Sequence, residues 1–345
     1  MRRLGTMLIA ILALCASVAL PVTTFAASNS LGVNPRRDYT IKPGDKVSDT
    51  LFVRNLSQTD MLDMKIDLVD FQAQNQTGAP QLLLKETQPT RWSLKPFLTI
   101  QPNIMLAAGK TADIPFTITM PKNAGPGSYY TAIRYSAQGA ANGNLSLSGS
   151  STTLMFVRVP GQANDSLQMT AFGAFTPNAD DTDGVYGSFY GATAPKYLAY
   201  ALKNAGNVAE QPTGSILLKD TFGKQVKLYQ EANPNKNLVL IDQTRRIDFC
   251  LNAGEVSKLV NGVSSKEPVC NDFSFKPGHY TALLDLFYGS QGSTAREIKA
   301  TTTFWYLPPW FVIAVVVALL IIAGVIWLLM NYIRSGRART YRSRR

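Results

Sequence analysis

The sequence PGSYYTAI at residues 126–133 returns as PGHYTAL at residues 277–283, 151 positions later. In both copies a Pro-Gly corner leads into a tyrosine and an apolar strand, with Tyr129 in the first copy and Tyr280 in the second. The unit is similar to the tyrosine corner of β-sandwiches, in which the ring packs and the hydroxyl bonds to backbone. The motif predicts this structural role for both tyrosines, with contact to a ligand as the alternative.

Two further matches lie upstream at nearly the same offset. The segment LFVRN at 51–55 resembles YALKN at 200–204, and IDLVD at 66–70 resembles ILLKD at 216–220. Each match alone is a common strand pattern, but three matches in the same order are typical of two similar domains. The chain therefore predicts an internal duplication.

The sequence pattern of the segments between the repeats predicts β-strands. Residues 114–120 and 152–159 alternate apolar and polar side chains, and Gly- and Pro-rich turns separate such stretches. The fold class predicted is all-β, with two tandem immunoglobulin-like β-sandwich domains plus one C-terminal transmembrane helix. We predict the sandwiches at 28–161 and 166–305, joined by a short polar linker at 160–165.

The N-terminal segment, residues 1–26, predicts a secretory signal peptide. Arg2 and Arg3 precede an apolar run that ends near Val22, and the small residue Ala26 precedes the expected cleavage point. Residues 1–26 are therefore left out of the predicted fold, and the sandwiches are expected outside the cytoplasm.

Residues 310–330 contain no charged side chain. A helix of this length extends about 30 Å, which is enough to cross the hydrocarbon core of a bilayer. Trp310 and Trp327 lie near its two ends, where interfacial aromatic residues are common. This segment predicts a single transmembrane helix with aromatic anchors.

The basic residues that follow the helix account for much of the net charge of +11. The tail at 331–345 carries six arginines, including Arg334 and Arg337, which flank the predicted span. Arginines beside a span predict a cytoplasmic tail and an outside ectodomain. The high isoelectric point therefore indicates topology, and we predict no nucleic-acid partner.

The sequence shows no recognisable catalytic or cofactor motif. His279 is the single histidine, so a histidine-based zinc site has no ligand set. There is no nucleophile elbow, phosphate-binding loop or dinucleotide fingerprint. We predict a protein that is not an enzyme and that uses no metal and no cofactor.

Cys250 and Cys270 remain after removal of the signal peptide. In an exported domain two such thiols favour one disulfide, which would stabilise the fold by about 3 kcal/mol. Two buried free thiols are the alternative. The segment between them, 251–269, is a polar insertion relative to the first repeat.

The segment at 87–97 holds a possible ligand site. Trp92 lies between Arg91 and Lys95, and an aromatic ring beside cations suits a sugar ring with an anionic substituent. We predict a ligand-binding role for these three residues. Packing of Trp92 over an open edge of the sandwich is the alternative.

Several first-domain pieces resemble the WxL-interacting proteins of Gram-positive bacteria, as does the order of signal, two sandwiches, span and basic tail. The pieces are IKPG at 41–44, LFVRN at 51–55, LAAGK at 106–110, MPK at 120–122 and GSY at 127–129. The resemblance implies a first domain associated with peptidoglycan and a second associated with host or surface partners. It carries over no binding residue.

We therefore predict a single-pass bacterial surface protein that binds a cell-wall polysaccharide or a surface protein. A structural scaffold or assembly factor for other exported proteins at the membrane is the alternative. An enzyme with an unrecognised site is a third hypothesis, because a fold does not exclude an activity.

Overall fold

A computed structural model describes most of the two predicted sandwiches and the C-terminal helix. The predicted signal peptide, residues 1–26, lies outside the described residues, and so do the side chains from residue 333 onward, including those of Arg334 and Arg337. The described ranges are 31–86, 88–137, 150–180, 183–260, 263–289 and 295–342.

The first half of the chain forms strands β1 to β11 in the described ranges. Their bounds are β1 Leu31–Val33, β2 Arg36–Thr40, β3 Lys46–Asn55, β4 Leu62–Val69, β5 Phe71–Gln74, β6 Ala79–Leu82, β7 Leu98–Ile100, β8 Asn103–Leu106, β9 Thr111–Thr119, β10 Gly127–Ala137 and β11 Ser150–Val159.

These strands build two facing sheets and a small hairpin. One sheet has the order β1-β3-β9-β7, the other has the order β2-β11-β10-β4-β8, and β5 pairs with β6. Alternate residues of β9, such as Phe116 and Ile118, are buried against Ile133 and Tyr135 of β10 in one apolar core. The two sheets therefore form a sandwich around that core, which we call the first sandwich.

The second half forms strands β12 to β22 in the same way. Their bounds are β12 Leu167–Pro177, β13 Gly184–Gly187, β14 Phe189–Tyr190, β15 Tyr197–Asn204, β16 Thr213–Lys219, β17 Gln225–Tyr229, β18 Thr244–Cys250, β19 Ala253–Val260, β20 Val263–Cys270, β21 Gly278–Tyr288 and β22 Arg296–Tyr306.

These strands form a second sandwich with its own core. The sheet β13-β12-β15-β18 contributes Tyr200 and Phe249, and the sheet β14-β22-β21-β16-β17 contributes Leu284 and Phe304. The polar segment between the cysteines forms a separate hairpin of β19 and β20. Two sandwiches with separate cores confirm the predicted all-β fold class.

The internal duplication predicted from the sequence corresponds to equivalent strands. The three matched pairs of segments lie on β3 and β15, on β4 and β16, and on β10 and β21. In both sandwiches the last strand also pairs in parallel with an early strand, β2 with β11 and β14 with β22. The sequence repeat therefore reflects a repeated topology.

The chain ends in one long helix, α1, at Pro309–Arg342. Its first 24 residues, Pro309–Tyr332, have a mean hydropathy of 3.2 and are not buried against the protein, so they are long and apolar enough to cross a membrane. Trp310 and Trp327 are both exposed on this segment. The helix continues beyond the predicted span into the segment predicted as a basic tail.

Candidate binding cleft between the sandwiches

The two sandwiches are joined by hydrogen bonds around Asn207. The backbone N–H of Ser128 donates to the carbonyl oxygen of Asn207 over 2.9 Å. The Asn207 side chain donates to the carbonyl of Pro126 over 2.9 Å, and the N–H of Ala209 donates to the Ser128 hydroxyl over 3.0 Å. A Cβ atom at Gly127 would lie 2.6 Å from the Asn207 carbonyl oxygen, so this glycine permits the contact.

An apolar cluster lies beneath these hydrogen bonds. Tyr130 and Phe156 project from the outer face of the first sandwich and pack with Phe71, the ring centroids lying 5.2 to 5.8 Å apart. Leu240 and Ile241 of the second sandwich complete the cluster. The sandwiches therefore share a small core, which favours one fixed arrangement between them.

A cleft of about 380 Å³ opens beside this junction. One wall is the outer face of β2 and β11, where Arg36, Phe156 and Arg158 line the cleft. The opposite wall consists of residues 208–211 together with Leu238 of the second sandwich. Polar, charged and apolar groups thus face one another across the gap between the sandwiches.

Charged groups of both signs lie on the first wall. The Arg36 guanidinium bonds to the Asp38 carboxylate through Nε and Nη2, over 2.8 and 2.6 Å, and lies 4.7 Å above the centre of the Phe156 ring. Nη2 of Arg158 is buried, and it has no hydrogen-bond partner among the residues that the structure describes. The wall can therefore offer hydrogen-bond donors to a bound molecule.

Glu210 lies on the second wall and is only 4% exposed. The N–H of Gly289 donates to its Oε2 over 3.2 Å. Burial, followed by the hydrogen bond and the charge of the neighbouring Asp165 carboxyl, raises the pKa of Glu210 to about 8, while the Gly289 hydrogen bond and the charge of Arg158 act in the opposite direction. Burial therefore favours the protonated form of Glu210.

Strand β2 is the edge strand on the cleft side of its sheet. It pairs in parallel with β11 through residues 36–40 and is the last strand of the sheet order on that side. Arg36, Asp38 and Thr40 are exposed, and the intervening residues are half-buried. The outer backbone groups of an edge strand can pair with another extended chain.

The structure places Arg91, Trp92 and Lys95 around the junction and engages each of them within the protein. The Trp92 ring is half-buried and stacks on Tyr130. Arg91 forms an ion pair of 2.7 Å with Asp242 of the second sandwich, and Nζ of Lys95 lies 4.0 Å from the Asp70 carboxylate. Ligand binding by these three residues stays a prediction.

Cys250 and Cys270 are joined in a disulfide, with their Cα atoms 5.7 Å apart. Cys250 ends β18 and Cys270 ends β20, so the bond ties the base of the β19–β20 hairpin to the sheet of the second sandwich. Within the described ranges, no group of three or more metal-binding side chains is present.

The two repeated tyrosines have the predicted structural role. The Tyr129 hydroxyl donates to the Gly125 carbonyl over 3.1 Å. The Tyr280 hydroxyl donates to the Lys276 carbonyl over 2.8 Å and accepts from the Lys276 N–H over 2.9 Å. Each hydroxyl bonds to backbone four residues upstream, which confirms that both are corner tyrosines.

The sequence carried no signal for the cleft. Arg36 and Glu210 are isolated charged residues that lie 174 positions apart, and neither belongs to a recognisable motif. Both residues line the same cleft because the edge strand β2 and the segments that contain residues 208–211 and Leu238 come together where the sandwiches pack.

No protein-family model matches this chain, and no curated protein matches it. The resemblance to WxL-interacting proteins therefore stays a prediction. Several solved structures are similar at low identity, with about four-fifths of this chain aligned to each.

One is the class 5 fimbriae chaperone CfaA, at 14% identity over 79% of this chain and 98% of that chain, with a TM-score of 0.36. The complex of the Salmonella enterica SafA pilin with the SafB chaperone is matched at 10% identity over 80% of this chain and 98% of that chain, with a TM-score of 0.36. The E. coli chaperone DraB is matched at 14% identity over 79% and 98%, with a TM-score of 0.33.

Proposed function

We propose that this protein is a membrane-anchored binding protein that holds an extended segment of a partner protein in the cleft between its sandwiches. The observation that carries the proposal is that β2 is an edge strand and that its residues Arg36, Asp38 and Thr40 line the cleft. A partner strand added to such an edge gains backbone hydrogen bonds, and side-chain pockets beside it supply selectivity.

The chemistry of the cleft favours a polypeptide over a polyanionic wall polymer. Arg36 and Arg158 are cationic, whereas Asp38 contributes a carboxylate on the same wall. The Phe156 ring adds an apolar surface between them. A polyanion would meet the carboxylate unfavourably, while a polypeptide carries backbone donors and acceptors together with side chains of every class.

A second candidate is the binding of a cell-wall polysaccharide through Arg91, Trp92 and Lys95. The Arg91 guanidinium lies 5.9 Å from the centre of the Trp92 ring, so a cation and an aromatic ring are adjacent. This candidate requires a ligand to compete with Tyr130 and Asp242 for those groups.

We further propose that the ectodomain lies outside the cell and the basic tail in the cytoplasm, with α1 as a single-pass anchor. The partner is then another exported or surface protein, and binding needs no cofactor and no catalysis. A scaffold or assembly factor would use the same cleft. A protein that holds a partner strand during assembly makes the same contacts with it as a protein that displays the bound strand.

Photo-crosslinking from both walls of the cleft tests the proposal in cells that make the full chain. A photoreactive phenylalanine analogue replaces Thr40 on the first wall or Gln211 on the second, both of which are exposed. The matched control replaces Ser48, an exposed residue on the other sheet of the first sandwich. We expect one partner protein to be linked from both walls, through a single short segment, and not from position 48.

Two results would contradict the proposal. Equal yields from all three positions would show that contact is not specific to the cleft. A polysaccharide adduct from the two walls would instead favour the wall-polymer candidate. A substitution pair adds a second measurement, since Arg36→Glu should reduce the cleft crosslinks while Lys46→Glu, at an exposed site outside the cleft, should not.

A further inference from the structure

A row of aromatic residues crosses the helix-proximal end of the second sandwich. Phe189 of β14 is the register partner of Trp305 of β22, and Trp305 is the register partner of His279 of β21. Register partners lie at the same height on a sheet, and the His279 and Trp305 rings are 4.8 Å apart. Phe189 and Trp305 are exposed large apolar residues.

The hairpin between β16 and β17 extends this row with a highly exposed phenylalanine. Phe222 at the hairpin tip is 93% exposed. The tip has a defined structure, because one Asp220 carboxylate oxygen accepts the N–H groups of Phe222 and Lys224 over 3.0 and 2.9 Å. A large ring held at a rigid tip indicates a surface that contacts something apolar.

The tip is tied to the aromatic row by hydrogen bonds. The Thr221 hydroxyl donates to the carbonyl of His279 over 3.1 Å and accepts its N–H over 2.8 Å. Phe222 therefore lies next to the row formed by Phe189, Trp305 and His279. These groups come from four strand ends but form one surface.

This surface lies close to the start of the membrane-spanning segment. Trp305 is followed by Tyr306, the last residue of β22, and α1 begins at Pro309. Four residues separate Trp305 from Trp310, so the five Cα–Cα steps between them span at most about 18 Å. With α1 in a bilayer, Trp305 therefore lies within about 18 Å of the first tryptophan of the span.

Cationic side chains border the same surface. Lys224 and Lys276 are exposed and line a groove of about 310 Å³ beside Phe222. The carboxylate in that groove, Asp220, is already an acceptor for the backbone of the hairpin tip. The two ammonium groups are therefore placed to attract the phosphates of anionic lipids.

We propose that this end of the second sandwich seats on the bilayer interface, with Phe222 and Trp305 among the headgroups and Lys224 and Lys276 against lipid phosphates. The inference rests on α1 crossing the membrane and does not depend on what the cleft binds. This contact would hold the cleft at a fixed distance from the membrane surface. Strand β21 runs 11 residues, about 35 Å, from the proposed contact surface to Gly289, which lines the cleft.

Depth-dependent fluorescence in vesicles tests the seating. In the full chain with Cys15 replaced by serine, Phe222→Cys provides a labelling site while Cys250 and Cys270 remain paired. The labelled protein is inserted into vesicles of phosphatidylcholine and phosphatidylglycerol that contain brominated lipid. We expect the dye at position 222 to lose most of its emission and to shift to shorter wavelength.

The matched control is Met61→Cys, an apolar site that is 62% exposed in the first sandwich. Its dye should keep the emission of a water-exposed probe. Lys224→Glu combined with Lys276→Glu should weaken quenching at position 222 in phosphatidylglycerol, whereas Lys110→Glu in the first sandwich should not. These outcomes together support lipid contact at the proposed surface.

Three outcomes would overturn the proposal. Equal emission at positions 222 and 61 would show that Phe222 does not reach the interface. Absence of quenching at a Trp327→Cys control would show that the helix is not inserted, which removes the premise. Self-crosslinking through position 222 without quenching by lipid would show that a second copy of the chain covers this surface.

Discussion

Trp92 and Tyr130 are stacked, with ring centroids 5.8 Å apart and ring planes inclined by 26°. The backbone joins them as well, since the N–H of Tyr130 donates to the Trp92 carbonyl over 2.9 Å. Tyr130 is fully buried in the cluster between the sandwiches. The pair therefore connects the 88–94 segment to the contact between the two sandwiches.

We expect Trp92→Ala to lower the thermal stability of the two sandwiches. Removing a half-buried ring that stacks on a buried tyrosine should cost about 2 kcal/mol or more, although less than a fully buried Trp→Ala change. A thermal melt of the full chain measures the loss. Phe222→Ala is the control, because that ring is exposed and packs against little of the protein.

A different result for Trp92→Ala would support the wall-polymer candidate. In that case the melting temperature would stay close to that of the parent chain, while co-sedimentation with cell-wall material would be lost. The same preparation therefore serves both measurements.

The buried carboxyl of Glu210 predicts a pH-dependent stability. Its pKa lies near 8 in the folded protein and near the ordinary value of 4.5 in the unfolded chain. Between these values the folded state holds a proton that the unfolded chain releases, so the folded state loses stability as the pH rises from about 4.5 to about 8. The slope should be on the order of 1 kcal/mol per pH unit at most.

Glu210→Gln should remove this dependence, because an amide keeps an acceptor for the Gly289 N–H and has no proton to lose. Thermal melts across that pH range compare the variant with the parent chain. Asp165 and Arg158 face the same carboxyl and remain in both proteins. Identical pH profiles would show that Glu210 is ionised in the folded state.

The disulfide should stabilise the second sandwich selectively. Replacing Cys250 and Cys270 by serine opens the loop that contains the β19–β20 hairpin and should cost about 3 kcal/mol. Peptide mapping of non-reduced protein should recover the linked cysteine peptides, and hydrogen exchange should quicken in β18 but not in β10. Two freely alkylated thiols in the native protein would contradict the bond.

The hydroxyl groups of the two corner tyrosines should contribute unequally to the free energy of unfolding. Tyr280→Phe removes a donor and an acceptor from the backbone of Lys276, whereas Tyr129→Phe removes one hydrogen bond to Gly125. We expect a cost of about 1 to 2 kcal/mol for the first change and less than about 1 kcal/mol for the second. Denaturant unfolding of both variants measures the order, and the reverse order would refute it.

The topology predicted from the arginines is open to a direct test. Protease added to intact cells should digest the ectodomain at 27–307 and leave a protected fragment that contains α1 and the tail. An epitope tag after residue 345 identifies that fragment. An ectodomain that is protected until the membrane is permeabilised would reverse the topology and would contradict the proposed outside partner.

Much of the fold could be predicted because it depends on local pattern. The alternation at 114–120 marks a strand with one buried face, and the uncharged run at 310–330 marks a helix that fits a bilayer. The repeated tyrosine corner showed that the pattern occurs twice. The polar insertion at 251–269 showed no such pattern in the sequence. In the structure it forms two strands that pair with each other between the two cysteines.

The candidate site could not be predicted, because its parts are far apart in the chain. The N–H of Ala73 donates to the Gln243 side chain, 170 residues away, and Trp92 stacks within a cluster that Ile241 completes. Neither contact corresponds to a periodic pattern or to a fixed residue spacing in the sequence. The sequence therefore presented Trp92 as an isolated aromatic residue beside two cations.

By itself the sequence determined two β-sandwiches, their order and the apolar C-terminal helix, because side-chain periodicity and hydropathy decide which faces avoid water. The tertiary structure alone decided how the sandwiches meet, and hence that Arg36 and Glu210 line one cleft while Arg91 pairs with Asp242. Those contacts depend on packing between surfaces that are distant in the chain, and packing of that kind depends on shape in three dimensions and not on local sequence.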